Sequence, residues 1–116
     1  MSEIKTNENK TRMKTRCYYT DYVNHMIRFY LSSPDGLDMT KKEYTTASIM
    51  NWTSVQMVFS DLSAADVEMF RGVYSKDHFL PKAVEAYCAE TGAVNDDVWR
   101  KLTRVSSKIA RVRGLM

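Results

Sequence analysis

An all-α fold is the class this sequence predicts: a small single-domain bundle of about five helices with a C-terminal helix-turn-helix. Three observations predict it. The 116 residues include only 4 Gly and 2 Pro, too few for a β-sandwich, which needs a turn roughly every 8–12 residues. Apolar residues recur at helical spacing. Capping residues stand before several of those stretches. With 44% apolar residues the chain can bury a core, and its length suits one domain.

Residues 1–16 lack apolar periodicity and read as a flexible basic arm, with 17–116 as the helical domain. A first helix is expected from residue 20 or 21 to about 31, because Tyr19, Tyr22, Val23, Met26, Phe29 and Tyr30 recur at helical spacing. Ser32-Ser33-Pro34-Asp35-Gly36 stops it, since Pro lacks a donor and Gly permits the turn. Thr40-Lys41-Lys42-Glu43 has the form of a capping box and opens a second helix reaching Phe59. From Tyr44 to Ser60 that segment carries no formal charge, which suits a central helix; it also offers Met50, Trp52, Met57 or Phe59 as anchors for a partner.

Ser63 starts the third helix, with Asp66 three residues on and Leu62 and Val67 spaced as a hydrophobic staple; Val67, Phe70 and Tyr74 form its inner face. A fourth helix begins near Pro81, tolerated in a first turn, and ends at Thr91-Gly92. A fifth takes Asn95 as N-cap and Asp96 and Asp97 in its first turn, and continues to about Arg113.

The last two helices, about residues 81–113, have the pattern of a helix-turn-helix. Cys88 is the small residue expected where the helices cross. Gly92 accepts the positive φ of the turn. Val98, six residues later, plugs the second helix into the core, and Leu102, Val105, Ile109 and Val112 extend its apolar stripe. On a wheel at about 100° per residue these five lie within roughly 40° of Val98, whereas Arg100, Lys101, Arg104, Lys108 and Arg111 gather at roughly 200–300°.

Charge is segregated in the same sense. The whole chain is +3, yet residues 98–116 hold six cations and no acid, while the middle of the chain is acidic. Solvated helices usually mix signs, because opposite charges at i,i+4 help them. A purely cationic flank suits an external polyanion, and phosphate is the obvious one. Lys101, Lys108 and the arginines would hold phosphates; Asn95, Arg100 or Thr103 would reach base edges.

From Trp52 onward, the order Trp52 and Val55, Leu62-Ser63, Asp66, Val73-Tyr74, Gly92, Val98-Trp99 and Ala110-Arg111-Val112-Arg113-Gly114-Leu115 resembles the small sigma-factor region-4-like helix-turn-helix proteins of phages of Gram-positive bacteria, the late-gene activator type. The resemblance covers roughly the last half of the chain. It implies a regulator of transcription whose recognition helix starts at Asn95, with Arg100 and Arg104 on DNA.

Enzyme motifs are absent: the sequence has no phosphate loop, no G-x-S-x-G and no H-E-x-x-H. His25 and His78 stand far apart and no zinc spacing is present, so no catalytic residue, metal or cofactor is expected. Cys17 and Cys88 form no framework and suit a reducing compartment; no apolar run suits a membrane span, so a cytoplasmic site is expected, and the resemblance implies that the cell is a bacterial host. The expected partner is DNA or another nucleic acid, bound by a monomer or homodimer. The alternative is an inhibitor of a host nucleic-acid-handling nuclease, in the manner of anti-CRISPR proteins. It would dock on a protein or nucleoprotein through Met50, Trp52 and Met57.

Overall fold

A computed structural model describes residues 19–33, 35–38, 40 and 44–115. The basic arm at 1–16, Cys17, Pro34 and most of the presumed capping box at 40–43 lie outside the described residues. What is described is helical, with no strand. Helix α1 runs over 19–32, followed by α2 (Thr46–Phe59), α3 (Ala64–Lys76), α4 (Leu80–Thr91) and α5 (Asn95–Arg113). Helix α3 packs on α4, α2 on α5, and α4 on α5.

The core is one cluster to which every helix contributes: Val23, Met26 and Ile27 from α1, Val55 and Phe59 from α2, Phe70 and Val73 from α3, Ala83 and Val84 from α4, and Val98, Leu102, Val105 and Ile109 from α5. An aromatic chain runs through it. Tyr30 stands 5.3 Å from Trp52 and 5.2 Å from Phe59, Phe59 is 5.1 Å from Phe70, and Phe70 stacks on Tyr74 at 6.1 Å. Edge and offset contacts of this kind suit the ring quadrupoles.

Two expected helix starts are displaced. Helix α2 opens at Thr46 rather than at residue 40: Thr45, with extended backbone, is the N-cap, and its hydroxyl accepts from the Ser48 amide at 3.1 Å. Thr40 instead donates both its amide and its hydroxyl to Asp38 Oδ1, a local side-chain bond of the kind that competes with helix formation. In α5 the N-cap is Val94, whose carbonyl accepts from the Val98 amide at 3.1 Å; Asn95 is the first helical residue and caps nothing. Asp96 and Asp97 remain in the first turn and offset the helix dipole there. The Ser63 cap accepts from the Asp66 amide as expected, with Leu62 and Val67 half-buried against the core.

The first helix supplies a tie that has no local sequence signal. Arg28 donates to the carbonyls of Tyr74 (3.0 Å), Asp77 (2.9 Å) and His78 (2.8 Å), satisfying the open end of α3, and its guanidinium lies 5.0 Å from the centre of the Tyr74 ring. Tyr74 in turn donates to Asn24 Oδ1 at 2.7 Å. The tight approach between α3 and α4 is at Gly72, where an added Cβ would lie 2.7 Å from the Tyr87 ring. Cys88, expected as the small crossing residue, is half-buried at the core edge.

Asn51 holds α1, α2 and α5 together. Buried in the chargeless α2, it donates to the Tyr22 hydroxyl at 2.9 Å and accepts from Arg113 Nε at 2.6 Å. A glycan on the Asn51-Trp52-Thr53 triplet is therefore excluded in the folded chain. Asn51→Ala leaves Arg113 without its acceptor and is expected to cost about 1–3 kcal/mol, read by urea unfolding.

Burial holds the Tyr74 phenol neutral well above its ordinary value of 10.0, partly opposed by Arg28. Tyr30 is raised in the same direction, by burial first, opposed by Arg71 and reinforced by Asp35. The unfolded chain loses these protons from about pH 10 while the folded chain keeps them, so this contribution is fully present below that pH and declines above it. Urea titrations across that range should show stability falling. Tyr74→Phe should cost about 1 kcal/mol at neutral pH and make the alkaline fall shallower; an unchanged fall would refute the assignment.

Candidate nucleic-acid interface

The cationic flank is positioned by what α5 buries. Val98, Leu102, Val105, Ile109 and Ala110 are all within 3% of full burial, which fixes the rotation of the helix about its axis. The opposite side then faces out, and Arg100, Lys101, Arg104, Lys108 and Arg111 are all exposed. Val112, expected in the buried stripe, is 46% exposed, because the apolar stripe runs past the end of the core that could cover it. The helix is closed by Gly114 at φ 84°, with the Leu115 amide donating back to Ala110 at 2.8 Å.

The turn that sets α5 against α4 has three residues, 92–94. Gly92 sits at φ 78° and its amide donates to the Cys88 carbonyl at 2.9 Å. A side chain there would meet no atom, yet the backbone conformation itself disfavours any residue with a Cβ.

The five cations are not equivalent. Lys101 is drawn to Asp66 of α3 at 2.9 Å. Arg100 reaches Asp97 at 3.6 Å in an exposed i,i+3 pair, which holds it weakly. Arg104, Lys108 and Arg111 make no ion pair among the described residues. Their i, i+4, i+7 spacing puts them in one stripe about 10 Å long. The open positive charge therefore lies toward the C-terminal half of α5, whereas the N-terminal turn carries Asp96 and Asp97.

Beside the stripe, Asp96, Trp99, Arg100, Thr103 and Arg104, all on one face of α5, line a shallow groove open to solvent. Thr103 thus lies where it could meet a ligand held by the cations. Asn95 is exposed on the first residue of the helix but does not line this groove. Trp99, half-buried and packed on the core edge, is a groove residue that sequence patterning assigned no role. Its spacing from Thr103 and Arg104 was the available signal.

The residues expected to meet a protein partner separate. Met50 and Met57 are 46% and 55% exposed. Trp52 is half-buried against Tyr30, with its indole N–H donated to the Ser33 carbonyl at 2.8 Å, and Phe59 is buried; both serve the fold. A second groove, about 290 Å³, brings Met57, Val58, Leu62 and Val112 beside Asp61, Lys108 and Arg111.

The described residues contain no cluster of three or more His, Cys, Asp or Glu that could hold a metal ion, and no helix among them is long and apolar enough to cross a membrane. No protein-family model, curated protein or solved structure matches the chain.

Asp66→Ala releases Lys101 into the stripe. Because this pair is substantially exposed, unfolding should register a loss below about 1 kcal/mol, while affinity for a polyanion such as heparin should rise, read as later elution in a salt gradient.

Proposed function

We propose that this chain is a small nucleic-acid-binding protein that grips the phosphate backbone with α5, in the role of transcription regulator implied by its resemblance to the phage sigma region-4-like proteins. The observation that carries the reading is the stripe Arg104, Lys108 and Arg111, exposed and without acidic partners among the described residues. Three neighbouring cations that make no ion pair among the described residues repel one another, and Asp61, which lines a groove with Lys108 and Arg111, offsets this only in part; phosphates relieve that repulsion and release condensed counterions. The three-residue turn at Gly92 is compatible with the reading, since a short turn with a positive-φ glycine joins α4 to α5 as the helix-turn-helix pattern requires.

A second reading, inhibition of a host nuclease through protein contact, is favoured by the exposed Met50 and Met57 and by the groove in which Met57, Leu62 and Val112 are flanked by charged residues. A stoichiometric protein partner recovered from nuclease-treated host lysate, and lost in Met57→Glu, would support it.

Fluorescence anisotropy on duplex DNA tests the first reading. Three phosphate contacts give a log–log salt slope of about −2.7. Replacing Arg104, Lys108 and Arg111 together with Ala should abolish binding with helicity intact, whereas Arg100→Ala should weaken it only modestly. A triple variant that binds as tightly as the parent would overturn the reading.

A further inference from the structure

We propose that the groove beside the cationic stripe seats an unpaired base, so that the chain favours single-stranded over duplex nucleic acid; this rests on the phosphate-binding reading above.

Three features of one face of α5 carry it. Trp99 lines the groove, half-buried and with its inner side packed on the core edge. A ring anchored in this way is a firm surface for stacking, and stacking on an aromatic ring is the common means of holding bases freed from a duplex. Thr103 and Arg100 border the same groove; a hydroxyl and a guanidinium can bond to the base edge, which only an unpaired base presents in full.

The third feature is the distribution of charge. Arg104 belongs both to the groove and to the stripe that continues through Lys108 and Arg111. A strand whose phosphates follow those three cations therefore arrives at the groove. At the other end, Asp96 lines the groove and Asp97 competes for Arg100. Two carboxylates in the first turn repel a phosphate backbone, which weighs against driving the start of α5 into a major groove flanked by two phosphate chains. They tolerate a base, which carries no net charge.

The test uses the full chain and three fluorescein-labelled probes of equal length: oligo-thymidine, its uridine RNA counterpart and a DNA hairpin duplex. Either single strand should bind about tenfold more tightly than the hairpin at matched salt, the increment one stacked base supplies. Single strands should quench the indole emission of the parent chain, and Trp99→Phe, which keeps Trp52 as the remaining indole, should abolish the quenching while retaining most of the affinity. Trp99→Ala should lose about tenfold on single strands and nothing on the hairpin. The salt slope on single strands should be about −2.1, shallower than on duplex. Equal affinity for strand and hairpin without quenching would overturn the inference and leave the phosphate reading standing. Failure to bind any of the three probes would overturn both.

Discussion

The burial of one side of α5 is the constraint from which the rest follows. Val98, Leu102, Val105 and Ile109 can leave water only by inserting against α2 and α4, and each buried side chain of this size is worth about 1.5–3 kcal/mol. Rotating the helix to hide its arginines would expose all four and bury charges without partners, a far larger penalty. The cationic flank is therefore outward because its opposite side has no alternative. The glycine turn at 92 serves this arrangement by letting the chain reverse within three residues.

Around that constraint the bundle is tied by polar contacts between elements far apart in sequence. Arg28 closes the end of α3, Asn51 links Tyr22 to Arg113, Lys76 pairs with Glu90 between α3 and α4, and Asp66 draws Lys101. These contacts consume several charges that the sequence alone leaves unassigned. They divide the cationic residues into those that serve the fold, Arg28, Lys76, Arg113 and in part Lys101, and those that make no ion pair among the described residues, such as Arg104, Lys108 and Arg111. The charge this molecule leaves open is what remains after internal pairing.

Much of the architecture was legible because it is written in local signals. The Ser63 cap, Pro81 in the first turn of α4, Gly92 and the apolar stripe of α5 each act within a turn or two of their own position. The start of α2 is where the local signal misleads: Thr40 has the chemistry of a cap but bonds to Asp38, and Thr45 accepts from the Ser48 amide as the N-cap instead. Asn95 looked like a cap because of its chemistry, but the helix begins one residue earlier and leaves that place to Val94.

The sequence by itself determined the helical class, the order of the elements and the two-sided character of α5, because period and capping act over a few residues. Only the tertiary structure decided which cations stay open, that Trp52 is an internal strut while Trp99 borders a groove, and that Val112 emerges from the core. Several of these depend on a neighbour far along the chain, Asp66 for Lys101 at 35 residues and Ser33 for Trp52 at 19, and no pattern of spacing along the chain encodes a contact made only when the helices are packed.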